Sequence, residues 1–198
     1  MKINDIEKFA SKIEGKIFFD YDIKKLTWFN IGGKTKIFFK PNTLQELINF
    51  LKLYKKRGKI FLLGAGSNIL FNDKIYDGVV IKLGNKFSNI SQLSENLIIA
   101  GSAVLDKKLS EFAKDKEVGG LEFLSGIPGT VGGGIRMNSG CFQREFKDVL
   151  ASIQILNYNG EVSTVPADKI NFSYRETNFS KENIFLSASF KGKKKNKE

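Results

Sequence analysis

The sequence predicts an α+β protein. Three observations carry that assignment. Some segments repeat apolar residues at helical spacing, and others are short apolar runs bounded by Gly, Pro or Asn. The two kinds are mixed along the chain without any internal repeat. Hydrophobic residues make up 41% of 198 residues, with 18 Phe, which is enough for one or two small cores.

The elements follow in order. Ile3, Ile6, Phe9, Ala10 and Ile13 recur at helical spacing and predict an N-terminal helix over residues 2–13. Trp28 to Lys40 reads as strand, with Ile37, Phe38 and Phe39 following the turn pair Gly32-Gly33 and Pro41 closing it. Thr43 and Glu46 have the spacing of a capping box, and Leu44, Leu47, Ile48, Leu51 and Tyr54 form the apolar stripe of a helix reaching toward Gly58. Short strands are expected at Lys59–Leu63, Gly78–Leu83 and Leu97–Ala100. A second stripe, Leu105, Leu109, Phe112 and Ala113, marks a helix that ends before Gly119-Gly120. Ser152–Tyr158 and Glu161–Val165 flank Asn159-Gly160, a strong hairpin signal. Ile184 to Phe190 is the last strand, followed by KGKKKNKE, a basic tail with nothing to bury. A composition shift over 84–96 divides the chain into residues 1–84, residues 85–190 and the tail 191–198.

Composition excludes several classes of function. There is no histidine, which removes His-activated nucleophiles and most His-based metal chemistry. The single cysteine, Cys141, permits no internal disulfide and argues against a structural zinc site. No metal site is expected. No apolar run is long enough to span a bilayer, and MKINDIEKFA lacks the apolar core of a secretory signal, so a cytoplasmic protein without a membrane partner is expected. The formal charge is +11, but only four of the 32 basic residues are Arg (57, 136, 144 and 175). The excess Lys reads as a solvated surface or as a field that attracts a small anionic ligand. No nucleic-acid-binding motif accompanies it.

Two glycine-rich segments stand out. LSGIPGTVGGGIRMNSG, from Leu124 to Gly140, gathers six of the chain's 19 glycines in 17 residues. Glycine at that density costs folding entropy. A bend explains one or two of these glycines; an extended phosphate ligand against main-chain N–H groups would explain the set, with the Asn138 amide able to donate and accept. GAGSN, from Gly64 to Asn68, follows a strand but lacks the third glycine and long helix of a dinucleotide fingerprint. It reads either as a strand-to-loop turn or as an anion-binding nest with Ser67 and Asn68 adding polar side chains. Gly33-Lys34-Thr35 ends like a P-loop, but position 28 is Trp and a strand follows, so it reads as a turn. Arg136, Arg144 and Arg175 each read, alone, as surface ion-pair residues. Arg175 is also a planar, permanently charged fork suited to a carboxylate or enolate.

Taken in order, TWFNIGG, LGAGSNIL, DGVVI, GLEFLSGIPGTVGG, MNSG and Tyr174-Arg175 resemble the UDP-N-acetylenolpyruvoylglucosamine reductase family over about residues 24–190. The resemblance implies a FAD-binding fold of the vanillyl-alcohol-oxidase type with two sub-domains. It implies FAD as cofactor, NADPH as co-substrate and a UDP-sugar enolpyruvate as substrate, in peptidoglycan precursor synthesis. On this reading Ser125, Gly126, Ile127, Gly129, Thr130, Gly132, Gly133, Gly134 and Asn138 would line the FAD pyrophosphate and adenosine half. Gly64, Ala65, Gly66, Ser67 and Asn68 would form a wall near the flavin. Arg175 would stabilise enolate charge and Tyr174 would contact substrate or nicotinamide. The family also carries a substrate domain with a protonating Ser and a Glu. Neither is found before Glu198, and Thr177 stands where the family has Ser. The expectations are therefore a reductase completed by a further region or by another polypeptide, a FAD-binding remnant without turnover, or another oxidase of the same flavin fold.

Overall fold

The computed structural model describes residues 3–54 and 58–194. The chain forms two compact units: residues 1–86 with 158–161, and residues 87–157 with 162–198.

The first unit contains α1 (Ile3–Ala10), β1 (Lys16–Asp22), β2 (Lys34–Lys40), α2 (Leu44–Tyr54), β3 (Lys59–Leu62) and β4 (Tyr76–Ile81). Its sheet runs β1-β2-β4-β3, with β1 antiparallel to β2 and the other pairs parallel. One side packs Ile23, Phe38, Leu63 and Val80. Elsewhere in the unit Phe39, Phe50 and Phe9 meet ring to ring, with centroids 4.3 Å apart for Phe39–Phe50. The expected capping box forms. Glu46 N–H donates to Thr43 Oγ1 at 3.2 Å and Thr43 N–H to Glu46 Oε2 at 3.2 Å. Glu46 also accepts from the main-chain N–H groups of Glu14, Gly15 and Asn42. That is why the first helix ends at Ala10 rather than Ile13. The N–H groups of Glu14 and Gly15 satisfy a distant carboxylate instead of a helical carbonyl. Lys2, within the expected helix, lies outside the described residues.

The expected long strand from Trp28 is shorter in the structure. It starts at Lys34, and residues 28–33 form an irregular loop with Trp28, Phe29 and Ile31 exposed. The loop is tied by Trp28 N–H to the Gly66 carbonyl at 3.0 Å and by Gly33 N–H to the Asn72 carbonyl at 3.0 Å. Strand β1 was not legible in the sequence. It is an edge strand whose apolar Phe18 and Phe19 are exposed, so no buried face imposes a pattern.

The second unit contains β5 (Ile90–Ser94), β6 (Leu97–Gly101), α3 (Asp106–Asp115), β7 (Val118–Gly119), α4 (Val131–Arg136), β8 (Gly140–Cys141), β9 (Arg144–Glu145), β10 (Leu150–Leu156), β11 (Val162–Pro166), β12 (Phe172–Ser173), β13 (Glu176–Thr177), β14 (Ile184–Lys191) and β15 (Lys193–Lys194). The main sheet is antiparallel in the order β11-β10-β14-β6-β5. Leu109, Leu121, Leu124, Val131, Ile135, Phe146 and Phe190 belong to its core. The expected β10–β11 hairpin is present, but Leu156 pairs with Val162, so the connection is longer than a two-residue turn. Gly160 at φ +90° supplies its left-handed step. Strand β5 falls in the segment whose composition suggested a boundary. Its Ser and Gln face solvent at the sheet edge and hide the pattern. The basic tail is also strand as far as Lys194: Lys191 closes β14 and β15 pairs with β7. Residues 195–198 lie outside the described residues. No helix among the described residues is long and apolar enough to cross a membrane.

Candidate functional site

Each unit presents its own candidate segment. In the first unit, β3 ends and Leu63 N–H still bonds the Ile81 carbonyl at 2.9 Å, after which the chain leaves the sheet as Gly64–Asn68. Gly66 has φ +74°, and a side chain there would collide with the Leu26 carbonyl, so only glycine fits. The N–H groups of Gly64, Ala65, Gly66, Ser67 and Asn68 find no acceptor among the described residues, although Gly66 is buried. The side chains of Ser67 and Asn68 likewise have no partner there. Of the five residues, only Gly66 is buried; successive main-chain donors of this kind are chemically suited to an anion. Below the loop, Lys82 Nζ donates to the Gly64 carbonyl at 3.0 Å. Burial, then the charge of Lys40, pulls the Lys82 pKa below the ordinary lysine value. Sequence reading passed over Lys82, although a lysine closing the apolar run GVVI was a signal.

In the second unit, the segment Gly126–Gly134 bends into α4. Thr130 caps that helix through Gly133 N–H, 3.4 Å from its Oγ1. The row of bare donors expected here is not present. Gly129 N–H goes to the Ile127 carbonyl, Val131 N–H to Val104, Gly132 N–H to Ser102, and Gly134 N–H to Thr130. Most of these glycines answer to packing. A Cβ on Gly134 would enter the Phe146 ring, one on Gly132 would lie 3.0 Å from Ser102 Cβ, and one on Gly126 2.7 Å from Cys141 Sγ. Gly133 differs, because a Cβ there would meet only Thr130 Oγ1, at 3.5 Å. Ser125 and Gly126 are exposed and Ile127 is buried. The Ser125 hydroxyl donates to the Glu122 carbonyl at 2.7 Å. This segment therefore offers a close, bare surface rather than hydrogen-bond donors.

Behind it lies Asp106, the first residue of α3, whose N–H donates to the Gly129 carbonyl at 3.1 Å. It is fully buried, and neither carboxyl oxygen meets a donor. Burial pushes its pKa up to about 8. A Cβ on Gly129 would lie 2.6 Å from Asp106 Oδ2. In sequence Asp106 looks like an ordinary first-turn acid and nothing marks it.

Asn138, expected to face a ligand, is turned inward. It is 2% exposed, and its amide is engaged by Glu145, Lys147 and Ser173. Arg136 is engaged by the main chain. Its guanidinium donates to the carbonyls of Phe179, Ser180 and Asn183 and lies over the Phe185 ring. Arg144 does pair with an acid, Asp148, at 3.6 Å. Tyr174 and Arg175 form the two-residue tip between β12 and β13. Both are exposed, Arg175 at φ +55°, with its guanidinium 5.6 Å from the Tyr174 ring centre. A permanently charged fork held at a turn tip can meet a carboxylate from solvent.

Comparison with known proteins gives this geometry a setting. Residues 35–166 match a family described as FAD binding domain. UDP-N-acetylenolpyruvoylglucosamine reductase of Pelagibacter ubique is 60% identical over all 198 residues, which cover 66% of that protein. The enzyme of the same name from Rickettsia canadensis is 42% identical over 186 residues, covering 94% of this chain and 63% of the relative. The chain thus spans just under two thirds of the length of these curated relatives. Among solved structures, UDP-N-acetylenolpyruvylglucosamine reductase of Thermus caldophilus superposes with a TM-score of 0.77 at 24% identity, covering 93% of this chain and 64% of that one. Physcomitrella patens BBE-like 1 gives 0.67 at 17% identity, covering 94% and 44%. The fold is the α+β FAD-binding fold of the vanillyl-alcohol-oxidase type that the sequence predicts.

Proposed function

The chain belongs to the FAD-binding domain family, whose cofactor is FAD, and we propose that it is the flavin-binding part of a UDP-N-acetylenolpyruvoylglucosamine reductase. The reaction would be NADPH-dependent reduction of the enolpyruvyl ether of UDP-N-acetylglucosamine to UDP-N-acetylmuramate, a cytoplasmic step of peptidoglycan synthesis. Relatives of that name at 60% and 42% identity support this reading. The observation that carries the cofactor assignment is the run of five open N–H groups from Gly64 to Asn68. A diphosphate needs such a cradle, and FAD contains one. The open donors at Gly64–Asn68 and the used ones at Gly129, Gly132 and Gly134 support putting the diphosphate at Gly64–Asn68 rather than at Gly126–Gly134. In the second unit, taken by itself, the bare face at Gly133 with the exposed Ser125 and Gly126 would suit a cofactor lying against the main chain.

When bound, the flavin supplies hydride transfer between nicotinamide and substrate. This chain's residues do the rest. Gly64–Asn68 would hold the diphosphate by main-chain donors, with Lys82 fixing the Gly64 carbonyl beneath them. Arg175 would stabilise the negative charge that develops on the substrate carboxylate and its enolate, an effect largest when the cation is already in place. Tyr174 would contact substrate or nicotinamide. Substrate binding and the final protonation would come from a further substrate domain, consistent with the greater length of the relatives.

The test is an absorbance spectrum of the purified chain, reconstituted with FAD, before and after anaerobic NADPH. We expect a flavin band near ~450 nm that bleaches. A band that persists would mean binding without reduction. Absence of the band would sink the assignment. Arg175→Lys should leave the band intact and slow turnover once the substrate domain is supplied, because a lysine cannot grip a carboxylate with a planar fork.

A further inference from the structure

Two tight hairpins leave the second unit near the end of α4. In the first, β8 and β9 pair Gly140 with Glu145 and Cys141 with Arg144, leaving Phe142 and Gln143 at the tip. In the second, β12 and β13 pair Ser173 with Glu176, leaving Tyr174 and Arg175 at the tip. Phe142, Gln143 and Arg175 have φ of +51°, +60° and +55°. Left-handed backbone at non-glycine residues costs free energy and persists only where surrounding contacts over-determine it. Phe142 is 75% exposed and Tyr174 82%, so the aromatic side chains at the tips cannot supply those contacts.

Asn138 supplies one. It sits just past α4 at φ +40°, a conformation its short polar side chain tolerates. Its Nδ2 donates to Glu145 Oε2 at 3.1 Å in the first hairpin and to the Ser173 carbonyl at 3.3 Å in the second. Its Oδ1 accepts Lys147 N–H at 3.1 Å. Both amide protons and the oxygen are thus engaged. The same helix end makes a second latch. Thr177 Oγ1 donates to the Arg136 carbonyl at 3.3 Å, and the Arg136 guanidinium holds three carbonyls from Phe179 to Asn183.

We propose that Asn138 is a positioning residue: its buried amide clasps the two hairpins to each other and to α4, so that Arg175 keeps one geometry relative to the glycine-rich segment that α4 extends. The functional meaning rests on the reductase reading, but the clasp does not. Asn138 acts through Ser173 and Glu145. A merely stabilising amide would raise the unfolding free energy without carrying information between the tips.

The test reads that transmission in the free chain. Glu145→Gln, on the first hairpin, keeps an acceptor but removes charge. Amide shifts of Tyr174 and Arg175, on the second hairpin, are then followed in ¹⁵N-labelled protein. The shifts should be at least about threefold larger with Asn138 present than in Asn138→Gly, a double-mutant cycle in which glycine keeps the left-handed backbone. If Asn138→Gly does not fold, Asn138→Asp carries the same comparison, since it is isosteric but lacks both donors. Equal shifts in the two backgrounds, or none in the parent, overturn the proposal. The flavin band of the same samples answers the other question separately. Transmitted shifts without any flavin binding would sink the reductase reading and leave the clasp standing.

Discussion

Replacing Asp106 by Asn should change how the stability of this chain depends on pH. The carboxyl is fully buried and has no donor, and burial raises its pKa from 3.8 to about 8. A carboxyl with a folded pKa above its unfolded value keeps its proton in the native chain and releases it on unfolding. Stability therefore falls with rising pH between those two values, is unaffected by this group below about pH 4, and carries the full penalty above about pH 8. At about 1.4 kcal/mol per unit, the wild type should lose about 4 kcal/mol relative to Asp106→Asn between roughly pH 4.5 and 7.5. The amide, like the protonated carboxyl, is a buried polar group without a partner, and the two costs are similar. The variant should thus be about as stable as wild type near pH 4.5 and clearly more stable near pH 7.5. Urea unfolding followed by far-UV circular dichroism across that range reads the difference. Parallel pH curves for the two proteins would refute the reasoning, because they would mean that Asp106 is ionised in the folded chain.

Four further outcomes are expected. Gly134→Ala drives a methyl into the Phe146 ring and should cost about 1–3 kcal/mol in urea unfolding. Gly133→Ala, whose Cβ would make only an ordinary contact with Thr130 Oγ1, should gain about 0.5–1 kcal/mol while weakening FAD binding, and unchanged FAD affinity would remove Gly133 from the cofactor surface. Lys82→Met removes the cation under the Gly64 carbonyl and should weaken FAD by about tenfold or more, as expected for a charged hydrogen bond. In wild type, affinity should decline as pH rises through the lowered Lys82 pKa, a dependence the variant lacks in FAD titrations. For Glu46, burial raises the pKa, but the N–H groups of Asn42, Glu14, Thr43 and Gly15 outweigh it and the net shift is downward. Its stabilisation is present above the unfolded carboxylate pKa and lost as pH falls through the folded one. Glu46→Gln should cost about 1–3 kcal/mol at neutral pH and show none of that acid sensitivity in thermal melts.

What the sequence determined by itself was local. The Thr43–Glu46 box, the stripe from Leu105 to Ala113 and the run from Ile184 are short-range patterns, and each became the element it predicts; Asn159-Gly160 marked the hairpin but not its longer connection. The ordered glycine motifs were enough to point to the flavin fold. Tertiary structure decided what depends on partners far along the chain. Edge strands β1 and β5 carry no strong pattern because only one neighbour and no full burial constrain them. The glycines at 129, 132 and 134 and the Gly64–Asn68 loop look equally bare in sequence. The first set is packed and its donors consumed, that of Gly132 by Ser102 from another segment, while the second set finds no acceptor among the described residues. Asn138 looks like a ligand contact until Ser173, distant in sequence, takes one of its protons. Hydrogen bonds are short-ranged and directional, so a donor's fate is set by which carbonyl the fold brings within about 3 Å of it. Residue type gives the capacity for a bond, and only the folded chain gives the partner.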